Sequence, residues 1–297
     1  MSVLVLNRNP LGPFPHHEWL RDYPGPVILV ADRSRIVKMG EPVPTGPVGH
    51  CELVLVDSFD ANEDAVRRLL RELADRHGAR HVVALSEPDL DLAAELREER
   101  DLPGPRAADI AAFRDKLLMK QRAAAAGVTT ASYAPARDAA AVRDFARTHG
   151  LPVVVKNRSG YNAIGLRIAR DAAQLDAALA AAFPDGRTRD DLLVERYVPG
   201  RMCHVDGVVI DGRPALAWPS QYQYELATFG SDPGARIDLT LDPGDPLTPR
   251  LLDLVDRVLP ALAGDGGRMR DHAFHAEVFH TPDDELVLCE VAARPAG

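Results

Sequence analysis

The chain has 297 residues, 46% hydrophobic and 27% charged, which suffices for two or three lobes with cores of their own. Its formal net charge of −9 argues against nucleic acid or an anionic membrane as the main partner, yet leaves room for a local basic pocket around a small phosphate-bearing ligand. The opening MSVLVLNRNP is not a signal peptide, no apolar stretch nears the roughly 20 residues that span a bilayer, and Cys51, Cys203 and Cys289 are scattered without C-x-x-C spacing, as reduced thiols in a cytoplasm would be.

Residues 1–100 alternate strands and helices. Short Val- and Leu-rich runs at 3–7, 26–32, 51–59 and 80–87 read as buried strands. Between the last two, 62–78 is a helix with Asn62 as its cap and Gly78 at its end. This alternation predicts a parallel α/β sheet. A second helix runs into the linker PGPR at 103–106. The first strand is followed by NRNPLGPF where a dinucleotide-binding domain needs G-x-G-x-x-G, which argues against that cofactor reading.

The spacing then predicts one helix over 108–126, an extended piece, a helix over 137–150, and two strands flanking a glycine-bearing loop in LPVVVKNRSGYNAIGLRI. A helix over 172–183 and the strand DLLVERYVPG follow, then a hairpin about Asp211-Gly212. A helix from 246 to 264 leads to a terminal hairpin.

The chemistry-bearing residues lie in this second part. Basic residues are nearly all arginine; the lysines are Lys38, Lys116, Lys120 and Lys156. A lysine is a compact point charge that fits beside phosphates where a planar guanidinium does not. Lys156 ends an apolar strand, and Ser159, Gly160 and Gly165 follow in a loop whose N–H groups can close over phosphate oxygens. Lys116, on a helix upstream, can pinch the same polyphosphate, or be a plain solvated lysine. Glu195 precedes a strand break at Pro199-Gly200. Unpaired backbone groups on Arg196, Tyr197 and Val198 can bond the edge of an adenine there, with Glu195 accepting its amino proton; a strand-end ion pair is the plain alternative.

In the terminal hairpin a two-residue turn at Asp283-Asp284 would set Glu277 directly opposite Glu290. Any even loop keeps both carboxylates on one face, and an odd loop splits them. Facing carboxylates repel, so a divalent cation with oxygen ligands is the expected compensation. Arg294 can reach the same phosphates, or pair with one of the two glutamates.

Helix lysine, strand lysine with a loop, Glu at a strand break, then Glu, Glu and Arg on a hairpin: this order, in RDKLLMKQRAAAAGVTT, PVVVKNRSGYNAIG, LLVERYVPG and HAEVF…LCEVAARPAG, resembles the ATP-grasp superfamily and its carboxylate–amine or carboxylate–thiol ligase branch. The resemblance implies an ATP-grasp fold: a parallel α/β domain over 1–104, a lid-bearing α+β subdomain over 105–194, and a C-terminal α+β subdomain with an antiparallel sheet over 195–297, C-terminally truncated relative to the family. It implies ATP and Mg²⁺ (or Mn²⁺) as cofactors. Lys116 and Lys156, with Ser159, Gly160 and Gly165, would contact phosphates; Glu195, Arg196, Tyr197 and Val198 would hold adenine; Glu277 and Glu290 would bind metal; Arg294 and Lys156 would act in catalysis. The partners would be ATP, a small carboxylate and an amine, with a homodimer compatible and neither nucleic acid nor membrane involved.

The chain departs from the family at Asn162 and Ala163 in the loop, at Arg201 and Met202 where an acidic residue often holds the ribose, and at Ala292 where many members place an Asn ligand. Asp206 is either an added ligand or a hairpin-turn residue. The expected activity is ATP-dependent amide formation; an ATP-binding module without turnover and a kinase acting on a hydroxyl are the alternatives.

Overall fold

The computed structural model describes residues 1–224, 234–263, 269 and 271–296. These fall into two compact units, 1–110 and essentially 111–296.

In the first unit, β1 (Ser2–Asn7), α1 (His16–Trp19), β2 (Val27–Asp32), α2 (Arg33–Lys38), β3 (Glu52–Val56), α3 (Glu63–His77), β4 (Ala79–Ala84) and α4 (Asp89–Glu99) follow in order. The four strands form one parallel sheet, β3-β2-β1-β4. Period-two alternation divides its strands between two cores. Leu4, Leu6, Ile28 and Val30 join Leu70 and Leu73 of α3 and Leu92 and Leu96 of α4. Val3, Val5, Val27 and Leu29 pack with Cys51 on the other side. Asn62 caps α3 by accepting from the Ala65 N–H, as expected. In the loop after β1, the N–H groups of Leu11 and Gly12 donate to the Glu41 carboxylate at 2.7 and 3.1 Å. The loop is therefore closed by the chain's own side chain.

The second unit starts within α5 (Ala107–Arg114) and continues with α6 (Lys116–Ala125), β5 (Tyr133–Pro135), α7 (Ala139–His149), β6 (Val153–Asn157), β7 (Arg167–Ala169), α8 (Ala172–Ala182) and β8 (Leu192–Arg196). The strands form an antiparallel sheet, β5-β8-β6-β7. Val153, Val155 and Val194 of that sheet bury Val142, Phe145, Leu175 and Leu179 of α7 and α8. Next come β9 (Arg201–Ile210), β10 (Arg213–Tyr222), β11 (Asp238–Thr240), α9 (Leu247–Leu262), β12 (His272–His280) and β13 (Leu286–Ala292). Their sheet, β11-β10-β9-β12-β13, is antiparallel. The apolar face of α9, with Leu251, Leu254, Val255 and Val258 all buried, packs on β9 and β10. The expected helix end at Gly264 and the last residue, Gly297, lie outside the described residues.

The continuous helix expected over 108–126 is a correction. It breaks at Asp115, whose extended backbone starts α6 and whose carboxylate accepts from the N–H groups of Leu117 and Leu118. Arg158 grips the same carboxylate from the loop after β6. A capping side chain with a charged partner outweighs continuous helical propensity there.

Candidate active site

The break at Asp115 decides where the lysines point. Lys116 becomes the first residue of α6, and its N–H donates to the Arg158 carbonyl at 3.0 Å. Lys120 lies one turn on, on the same helix face. α6 packs against β5, β13 and α9, so this face looks onto both sheets of the unit. Lys116 Nζ lies 3.0 Å from Glu290 on β13 and donates to the Gly160 carbonyl at 2.6 Å. Lys120 Nζ lies 2.9 Å from Glu195 on β8. Lys156, at the end of β6, reaches the other Glu195 oxygen at 2.5 Å. All three lysines and Glu195 are buried.

Lys120 and Lys156 thus share the one carboxylate of Glu195, a local surplus of one positive charge, while Lys116 offsets Glu290. Burial alone would raise the Glu195 pKa, but Lys156 and Lys120 outweigh it and hold it at about 2. Burial opposes charge on Lys156 too, and Glu195 overcomes it, so that amine stays protonated well above the ordinary lysine range. Glu290 is half-buried beside Lys116 and Lys156; burial opposes its charge, and the two lysines outweigh burial and likewise hold it below the usual carboxylate range. Isolated buried charges are costly, so such a cluster persists only as a mutually neutralising set. Its surplus suits an anionic ligand.

The glycine-bearing loop between β6 and β7 holds Ser159, Gly160 and Gly165, with Asn162 and Ala163 both at positive φ (51° and 53°). The former tolerates that region; an Ala there is strained. The expectation of unpaired backbone groups over Arg196–Val198 fails for two of them. The Arg196 N–H donates to Ser132 at 2.9 Å and the Tyr197 N–H to Pro152 at 3.1 Å. The chain around β8 stays paired on both sides, so any adenine contact there falls to the remaining groups. Tyr197 packs its ring under the Arg170 guanidinium at 5.0 Å.

The terminal hairpin departs from expectation in its turn but not in its outcome. His280 pairs with Leu286, and the Asp284 N–H bonds the Thr281 carbonyl, with Asp284 at φ 61°. That is a three-residue loop closed by a left-handed residue, not a two-residue turn. An odd loop should split the carboxylates. A β-bulge repairs this: Val278 pairs with Leu288 and Glu277 with Glu290, leaving Cys289 as the extra residue. The two glutamates therefore do face each other. Burial pushes the Cys289 thiol up to about 12, so it stays a thiol. Arg294 follows β13 and donates to the Pro295 carbonyl at 2.8 Å.

Asp206 is not a turn residue. The turn is Asp211-Gly212, both at positive φ, and Asp206 sits in mid-strand on β9. The β9–β12 register sets it opposite His275, and His204 opposite Glu277. The neighbouring Gly207 is obligatory, since a Cβ would lie 2.2 Å from the Leu216 carbonyl and 2.6 Å from the Phe274 ring. Asp206 accepts from both imidazoles and is held well below the ordinary range; burial opposes this, while His204 and His275 impose it. Burial lowers the His275 pKa, but Asp206 and Glu277 raise it to about 9. Sequence reading missed Lys120 and His204. Lys120 was visible as a rare lysine one turn after Lys116. His204 needed the strand pairing.

Residues that can hold a divalent cation are the facing pair Glu277 and Glu290, whose hard oxygen donors suit Mg²⁺. Lys116 already compensates Glu290 in this structure, as expected of a site that needs positive charge.

The family model for the carbamoyl-phosphate synthase L chain ATP-binding domain matches residues 115–213, which begin at the α6 cap and take in Lys116, Lys156 and Glu195. The chain is 34% identical over 196 residues to N5-carboxyaminoimidazole ribonucleotide synthase of Mycobacterium bovis, covering 65% of this chain and 42% of that protein. It therefore spans less than half the length of that relative. Among solved structures, L-amino acid ligase from Bacillus licheniformis superposes with TM-score 0.76 at 18% identity, over 99% of this chain and 66% of that one. The biotin carboxylase domain of Hydrogenobacter thermophilus 2-oxoglutarate carboxylase, a dimer solved with MgADP and bicarbonate, gives 0.73 at 20% identity, over 99% and 64%. With this matched segment and these neighbours, the chain has the ATP-grasp fold, and its residues 115–213 are similar to the ATP-binding domain of the carbamoyl-phosphate synthase L chain.

Proposed function

We propose that this chain carries the nucleotide and metal machinery of an ATP-dependent carboxylate–amine ligase. The observation that supports it best is the cluster of buried Lys116, Lys120 and Lys156 with Glu195 and half-buried Glu290, which places two ammonium groups on the one Glu195 carboxylate where two antiparallel sheets and α6 meet. Along the chain we assign 1–104 as the preceding α/β domain, 105–194 as the lid-bearing subdomain and 195–297 as the C-terminal one.

A carboxylate is a poor electrophile, and transfer of the ATP γ-phosphoryl group to it gives an acyl phosphate with a good leaving group. An amine then attacks, giving an amide and phosphate. Positioning and electrostatics carry such chemistry. Lys116 exchanges its contacts with Glu290 and Gly160 for phosphate oxygens, and Lys156 neutralises charge developing on the transferred group. Ser159, Gly160 and Gly165 close over the phosphates. Glu195, with backbone at Arg196, Tyr197 and Val198, borders the adenine. Glu277 and Glu290 would hold Mg²⁺ (or Mn²⁺), which supplies charge neutralisation on the phosphates. Arg294 steadies the charge on the reacting carboxylate.

The substrates are a small carboxylic acid, such as an amino acid, and an amine. The relatives support a ligase of small metabolites, and no helix among the described residues is long and apolar enough to cross a membrane. The test is incubation with ATP, Mg²⁺ and pooled amino acids. ADP, phosphate and a new amide in stoichiometric amounts are expected, and Lys156→Ala should abolish them. ATP binding without ADP release would point instead to a module without turnover, the reading that strained Ala163 in the loop favours.

A further inference from the structure

A second polar group lies on the C-terminal sheet, on the face that carries Glu277 and Glu290. His204 and Asp206 are two residues apart on β9 and so share that face. His275 and Glu277 do the same on the paired β12. The Asp206 carboxylate is shared between the rings: Oδ2 lies 2.6 Å from His204 Nδ1, and Oδ1 lies 2.8 Å from His275 Nδ1. Both imidazoles are more than nine-tenths buried, and suitable ligand atoms of the three residues all lie within 4.8 Å of one another.

The far nitrogens carry the argument. His275 Nε2 faces Glu277 Oε1 at 3.4 Å and the Tyr222 hydroxyl at 3.3 Å. His204 Nε2 faces Asp238 at 3.8 Å, beyond hydrogen-bond length, and is buried with no hydrogen-bond partner among the described residues. His275 thus has a hydrogen-bonded carboxylate at each ring nitrogen, whereas His204 has one only at Nδ1 among the described residues. A cation at the Nδ1 side takes the place of the protons there. Each ring then binds it through Nδ1, turns its Nε2–H to the outer carboxylate, and leaves Asp206 as a third ligand. A carboxylate behind each ligating histidine is the arrangement that orients imidazoles on metals.

We propose that His204, Asp206 and His275 form a binding site for a divalent transition metal of the zinc class, separate from the oxygen-only pair Glu277 and Glu290. Imidazole donors favour Zn²⁺ or Co²⁺ over Mg²⁺, which prefers oxygen and water. Glu277 is common to both groups, since it supports His275 and faces Glu290. This inference does not depend on the ligase reading.

The test uses the full chain in excess Mg²⁺. Co²⁺ is followed by its visible ligand-field absorption and Zn²⁺ by calorimetry. One equivalent of each is expected to bind the wild-type chain despite the Mg²⁺. His204→Gln and Asp206→Asn should each weaken binding at least tenfold with unchanged circular dichroism, while Glu290→Gln should retain it. Failure of the wild-type chain to take up either metal overturns the site, as do substituted chains that bind as tightly as wild type. Loss of binding in Glu290→Gln alone would show that the metal sits on the glutamate pair, and overturns it too.

Discussion

Glu277 faces Glu290 because Cys289 is bulged out of β13. The turn alone would have put the two carboxylates on opposite faces, and one extra residue restores them to the same one. Deleting Cys289 should therefore turn Glu290 toward the other face and abolish Mg²⁺-dependent tightening of ADP binding. Cys289→Ala keeps the residue count and should preserve it, with a stability loss of no more than about 1 kcal/mol for the smaller, half-buried side chain. Calorimetric ADP titrations with and without Mg²⁺ check this. A deletion variant with wild-type Mg²⁺ dependence would refute the role of the bulge.

Lys120 leaves Lys156 free to serve an anion. Without it, Glu195 and Lys156 form a neutral pair and the surplus charge on that side disappears. Lys120→Met, similar in length and apolar, should weaken ADP and ATP binding about tenfold, or ~1.4 kcal/mol, and leave adenosine binding unchanged. Equal loss for adenosine and ADP would mean that Lys120 only shapes the pocket.

Much of this arrangement was legible in the sequence, for physical reasons. Lys156 and Glu195 end apolar runs, which marks each as the polar end of a strand, and the structure, pairing β6 with β8, brings them to 2.5 Å. The α3 cap at Asn62 and the turn at Asp211-Gly212 are local and were readable as such. The break at Asp115 was not, because its cause includes Arg158, more than forty residues away. The bulge at Cys289 leaves no local mark in a run of apolar residues. The partnership of Asp206 with His275 depends on β9 pairing with β12 across 69 residues, which only tertiary structure decides.

The start of α6 is set by Asp115 as a cap more than as an ion-pair partner. Asp115→Asn keeps an acceptor for the Leu117 and Leu118 N–H groups and loses the charge facing Arg158. Asp115→Ala loses both. Urea unfolding should rank wild type above Asp115→Asn above Asp115→Ala, the last lower by about 1–2 kcal/mol. ADP affinity should follow the same order, because Lys116 is the next residue. If Asn and Ala prove equally destabilising, the ion pair sets the helix start.

Glu195 gives the cluster a pH signature. Its carboxyl is held at about 2 in the folded chain against an ordinary 4.5. A depressed folded-state pKa contributes stability that is present above the unfolded value and lost as pH falls toward the folded one. The contribution should be complete above about pH 5, begin to fall below about pH 4.5, and have dropped by roughly 2 kcal/mol at about pH 3. Glu195→Gln lacks this titration. It should also be less stable near neutral pH by about 3–5 kcal/mol, because two buried lysines lose their counter-charge. The other carboxylates titrate in both chains and largely cancel in the difference. The stability gap between wild type and Glu195→Gln, measured by urea unfolding from about pH 6 down to about pH 3, should therefore narrow as acid is added. A gap that stays constant across that range would mean that Glu195 is not held ionised by Lys156 and Lys120, and the buried charge cluster would lose its centre.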